Sequence, residues 1–100
     1  MFDINHINSN KNLIITITGD VSIYFIQEIK QKLPNPTTTT ILDLQNVSNY
    51  DFSFLQLIAY YIKILQNLGC NYTIKSNKKL KIDFNKLFPE LENIEEVGDE

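Results

Sequence analysis

One hundred residues, 43% hydrophobic and 21% charged, suit a single ordinary globular domain; the chain is too short for two cores and too apolar to stay disordered. A net charge of −3, with nine lysines and no arginine, leaves no electrostatic case for a nucleic-acid or anionic-membrane partner, because such binding is driven by counterion release at clustered basic groups. The lone Cys70 excludes an internal disulfide framework, and neither a membrane-length apolar run nor a leader-like start is present, so a cytoplasmic protein with no membrane insertion is expected.

Phe2 to Ile7 alternates weakly, NSNKN (Asn8–Asn12) is turn-forming, and LIITIT from Leu13 is β-branched at most positions. Together they predict an antiparallel hairpin. The second strand alternates less cleanly than a solvated one, which predicts a central position with both faces at least partly covered. After Gly19 the period lengthens. Ile23, Ile26, Ile29 and Leu33 recur every three or four residues, predicting an amphipathic helix with Ser22 as its N-cap and Pro34 and Pro36 as its end.

TTTTILDL (Thr37–Leu44) reads as a buried strand and QNVSNY as a loop. The strongest helical pattern runs from Ser53 to Leu68, with Phe54, Ile58, Tyr61, Leu65 and Leu68 on one line and Gln56, Lys63 and Asn67 opposite. Gly69 is placed to close it in a left-handed conformation. Asn71–Lys75 predicts another strand, and Leu80, Ile82, Phe84, Leu87 and Phe88 a third helix stopping near Pro89. Lys75, Lys78, Lys79 and Lys81 read as a solvated helix face. The acidic stretch 90–100 predicts a short helix or a loosely docked tail.

The order ββαβαβα implies a small α/β sandwich: a mostly parallel four-stranded sheet with an antiparallel N-terminal strand and helices packed on it. The chain reads as a single domain over residues 1–100, with no internal repeat and no linker.

Groups for catalysis are scarce. His6 is the only histidine, lies in a predicted edge strand and has no partners at metal-ligand spacing. The three glycines are isolated, so no phosphate-cradling loop exists. No nucleophile–base pairing stands out. Asp43 and Asp51 fall at the strand ends where parallel sheets bind ligands, but acids there more often cap helices or stay solvated. The expectation is a non-enzymatic protein with no metal and no cofactor. Ser53 is the exception of interest, a hydroxyl in the first turn of the longest helix beside Asp51. A phosphate there would meet free N–H groups and the positive end of the helix dipole, and would make the patch strongly acidic. Ser and Asp are equally the ordinary residues of a helix start.

TGDVSIYFIQEIKQKL, TTILDLQNVSNYDFSFLQLI and LGCNYTIKS, with the element order, resemble the STAS domain of bacterial anti-sigma factor antagonists over most of residues 13–88. Asp43, Asp51, Leu55, Gln56 and Ile58 fit its middle motif. Gln56 is more typical of the branch near chemotaxis-type signalling and lipid-transport ABC systems. The resemblance implies the STAS fold and a regulatory protein–protein module, binding an anti-sigma or histidine-kinase-like ATPase domain through the loop Asn46–Asp51 and the start of the second long helix. Phe52 stands where kinase-switched members carry the phosphorylated hydroxyl. Ser53, the phosphorylation candidate, comes one residue later, about 100° around a helix. Phe54 replaces the family's glycine, and Ser22 replaces an acid. Candidate partner-binding residues are Ser22, Tyr50, Asp51, Phe52, Gln56 and Tyr60. Tyr50, Phe52 and Tyr60 are read as an aromatic patch, or else Phe52 folds back onto its own helix. Two alternatives remain: a constitutive accessory subunit of an ABC-type lipid transporter, or a small-ligand or nucleotide binder at Asp20, Asp43 and Asp51.

Overall fold

The computed structural model describes residues 2–36 and 38–97. Thr37 of the predicted strand Thr37–Leu44 and residues 98–100 of the predicted tail lie outside the described residues. The elements are β1 (Phe2–Ser9), β2 (Asn12–Asp20), a 3-10 turn (Ile23–Phe25), α1 (Ile26–Lys32), β3 (Thr39–Asp43), β4 (Val47–Asn49), α2 (Phe52–Asn67), β5 (Tyr72–Ser76), α3 (Lys78–Leu87) and β6 (Ile94–Glu96).

β1 and β2 pair antiparallel from Phe2↔Gly19 to Ser9↔Asn12 without interruption. Asn10 and Lys11 close the hairpin at φ 50 and 68, the two left-handed residues of a type I′ turn whose twist matches the strands it joins. β2, β3, β5 and β6 are mutually parallel, and β4 adds to the far end of β2 beyond β3. Among the described residues the sheet therefore has six strands in the order β1-β2-β3-β5-β6 with β4 beside β2, not the four read from the sequence. β4 and β6 are three residues each, too short to show a period, and backbone pairing alone defines them. The acidic stretch, expected as helix or loose tail, instead docks Leu91 in the core and pairs β6 with β5.

The connections β2–α1–β3, β3–α2–β5 and β5–α3–β6 all step the same way across the sheet. Right-handed crossovers with a common direction bring every helix to one face, and burial follows that rule. Leu13, Ile15, Ile17, Leu42, Tyr72 and Ile74 point beneath the helices and are buried with Ile29, Phe54, Ile58, Ile62, Leu65, Leu80 and Phe84 in one cluster. Ile14, Thr16, Thr18, Ile41, Asp43, Thr73 and Lys75 alternate with them on the other face and are only partly buried. β2 is thus central, as expected, with one face fully buried and the other partly covered; helices cover only the first.

Helix boundaries differ from the pattern where amphipathic spacing runs past the hydrogen-bonded turns. Ile23 and Leu68, both expected in the core, lie at helix ends and are exposed, as are Ile82 and Leu87 of α3. Gly69 has φ +74 and follows the last turn of α2 as expected. Lys75 belongs to β5, so the four lysines do not share one helix face.

Candidate functional site

The ends of β2 and β4 and the starts of α1 and α2 converge at one edge of the sheet. Gly19, at φ 90, turns its N–H to the Asn46 carbonyl at 3.1 Å, a backbone conformation that L side chains rarely adopt. The Asp20 carboxylate accepts the Ser22 N–H at 3.0 Å, which holds its pKa below the usual carboxylate range. Ser22 precedes the 3-10 turn, and its side chain caps nothing. The expected N-cap of α1 is corrected in this respect, because the chain spends three residues in the tighter turn before α1 begins.

Asp51 is the N-cap residue of α2, yet its side chain reaches outward. One oxygen accepts the Ile23 N–H at 2.8 Å, across a separation of 28 residues. The other accepts the Ser53 hydroxyl. The Ser53 hydroxyl, the largest influence, and with it the Ile23 N–H hold the Asp51 pKa below its ordinary value, while burial opposes them by less than the Ser53 hydroxyl lowers it. Asp51 therefore pins the start of α1 to the start of α2. Beyond the pin, Ile23 and Tyr24 project into solvent, 62% and 88% exposed.

The candidate residues divide into two groups about the start of α2. Tyr50 and Phe52 turn toward α3. The Tyr50 hydroxyl donates to Asp83 Oδ2 at 2.5 Å, and Lys79 Nζ sits 4.4 Å from the ring centroid and 3.9 Å from the same carboxylate. Burial, reinforced by the Asp83 acceptor, raises the Tyr50 pKa. Phe52 stacks on Phe88 at 5.9 Å and 13° and keeps half its surface exposed; its ring rests on the residue that ends α3. Asn77 sets α3 there. Its Oδ1 caps the helix by accepting the Leu80 N–H at 2.9 Å, while Nδ2 donates to the Gln45 carbonyl at 3.1 Å.

Ser53, Gln56 and Tyr60 turn the other way and line a cleft of about 400 Å³ with Ile26, Gln27 and Lys30 of α1. The cleft continues past Lys30 and Tyr60 over Leu33, Pro34 and Ile64. Tyr61 closes the floor by donating to the Pro34 carbonyl at 2.7 Å, and burial pushes its hydroxyl up to about 12. Tyr50, Phe52 and Tyr60 accordingly do not form one aromatic patch.

Asp43 accepts from the Gln45 backbone and side-chain amides, so Asp20 and Asp43 carry donors from their own loops while Asp51 is committed to Ile23 and Ser53. Among the described residues no three His, Cys, Asp or Glu side chains gather as a metal site requires. Sequence reasoning missed Tyr24, Asn77, Lys79 and Asp83. Tyr24 was legible, since it falls off the Ile23–Ile26–Ile29 line. The other three depend on where α3 lands, which no local spacing records.

By sequence, no family model and no curated protein matches the chain. Solved structures do match it over nearly its whole length. An anti-sigma factor antagonist from Mycobacterium paratuberculosis superposes with a TM-score of 0.80 at 10% identity, covering 97% of this chain and 87% of that one. The chain has the STAS fold. The anti-sigma factor antagonist SpoIIAA in its unphosphorylated form superposes at 0.72 with 14% identity, covering 98% of this chain and 90% of that one. At such identities the likeness is of architecture. Among the described residues, no helix of this STAS fold is long and apolar enough to cross a membrane.

Proposed function

We propose that the protein is a regulatory STAS module that binds an anti-sigma or histidine-kinase-like ATPase domain through the joined starts of α1 and α2. The observation that carries this reading is the rigid display of Ile23 and Tyr24. Two large apolar side chains stand in solvent on a turn held by the Asp20–Ser22 and Asp51–Ile23 hydrogen bonds. Exposed aromatics on a pre-ordered backbone lose little entropy on docking and are typical anchors of binding energy. Gln56 and Tyr60 extend the surface along α2, and Phe52 extends it toward α3.

A phosphate on Ser53 would stand against the Asp51 carboxylate that already accepts from Ser53 and Ile23. That commitment of the hydroxyl favours binding without a phosphoswitch, the behaviour of a constitutive subunit such as one of an ABC-type lipid transporter. Recovery of partners on tagged protein from native lysate, with intact mass of the recovered chain, tests both readings. An ATPase domain retained by wild type and lost with Tyr24→Ala, at unchanged melting temperature, is the expected result. A transporter complex instead favours the second reading. Retention unaffected by Tyr24→Ala and Phe52→Ala sinks the proposed surface.

A further inference from the structure

Among the described residues β1 has one strand neighbour, β2. Two observations fix which of its backbone groups are free. The type I′ turn makes Ser9↔Asn12 a hydrogen-bonded pair, and hydrogen bonding alternates along an antiparallel ladder. At the far end, Gly19, the partner of Phe2, turns its N–H away from β1 to Asn46. Both assign Ser9, Ile7, Asn5 and Asp3 to bonds with β2. The N–H and C=O groups of Phe2, Ile4, His6 and Asn8 therefore point to the open edge, and among the described residues nothing bonds to them.

Natural edges are usually blunted by lysine, proline, a bulge or shortness. β6, at the opposite edge, is three residues with two glutamates. β1 is eight residues, FDINHINS, with no lysine or proline and an unbroken register. Its burial is also uneven. Phe2 and Ile4 are partly buried beside the helices, with Phe2 packed on Phe25, whereas His6 and Asn8 on the same face are exposed.

We propose that β1 pairs antiparallel with β1 of a second copy, joining the two sheets about a two-fold axis at Asn5. One self-register uses every outward group: Phe2 opposite Asn8, and Ile4 opposite His6, each pair occurring twice by symmetry. A shift by two residues either way leaves outward groups unpaired. The same register sets the exposed half of each strand beside the helix-covered half of its mate. It puts Asp3 opposite Ile7 rather than opposite another acid, so no like charges face each other. The interface is isologous and closed, so pairing stops at two copies.

Sedimentation equilibrium of the full chain should give twice the chain's mass, concentration-dependently. His6→Pro removes an outward N–H and no bond to β2, a position where edge strands tolerate proline. It should weaken association about tenfold or more at unchanged circular dichroism. Should that variant unfold, Asn5→Lys serves, since it opposes two cations on the axis and stays solvated in the monomer. At Asn5 the paired Cα atoms would lie about 4.5 Å apart, close enough for a disulfide. Asn5→Cys should thus cross-link under mild oxidation, whereas Asp3→Cys should not. A chain that stays monomeric at every soluble concentration overturns the proposal. So does a dimer that folded His6→Pro or Asn5→Lys leaves intact, or equal cross-linking at positions 3 and 5.

Discussion

Asp51 does more at the residue scale than its place before a helix suggests. A capping acid would accept backbone N–H groups of its own helix; this one accepts the Ile23 N–H from a different element and the Ser53 hydroxyl. Because the folded carboxyl titrates below the ordinary carboxylate range, its contribution to stability is fully present above that range. The contribution is lost as pH falls through the lower folded value. Asp51→Asn should lower the melting temperature near neutrality by about 4–8 °C, the equivalent of about 1 kcal/mol for one charge-assisted bond in a domain this size. It should also flatten the melting profile in acid relative to wild type, leaving the share carried by Asp20. Melting curves from about pH 6 down to about pH 3 test this, and an unchanged acid slope would mean that the Ser53 and Ile23 bonds to Asp51 carry no weight. That Asp51 mattered was legible from its position; its long-range partner was not, because a separation of 28 residues leaves no trace in local pattern.

Elements came out of the sequence in proportion to how much period they carry. α2 runs sixteen residues with a full buried stripe, and the hairpin has both alternation and a turn signature, so each was readable. β4 and β6 exist because neighbouring strands offer unpaired backbone, which side-chain identity barely records. α1 misled in a particular way. The spacing that made Ile23 look like core continues into a 3-10 turn, where three residues per turn rotate it away from the helix's buried face. α3 is the element most dependent on one residue. Asn77 both caps it and ties it to the Gln45 and Val47 carbonyls, and Tyr50 and Phe52 then lean on its far side. Asn77→Ala should cost about 1–2 kcal/mol by loss of the cap. It should speed amide exchange along Lys78–Leu87 more than along α2. Uniform acceleration over both helices would show that α3 does not loosen on its own.

For the whole molecule, the consequential feature is that all the crossovers step in one direction. A doubly wound sheet would cover Ile14 and Ile41 as deeply as Ile15 and Leu42; here helices cover only the second pair. Stability therefore has a side. Ile15→Ala removes a side chain with no exposed surface from a close-packed layer, and should cost about 2–5 kcal/mol, transfer and cavity effects together. Ile14→Ala, one residue along the same strand, removes atoms already part-solvated and leaves no closed cavity, so about 1 kcal/mol is expected, mostly lost β-propensity. Urea midpoints at constant slope measure both. Equal costs would mean that something covers the open face in solution. Unequal costs would mean that this face, with its rows of threonine and isoleucine, is free to change without endangering the fold that displays Tyr24 and Phe52.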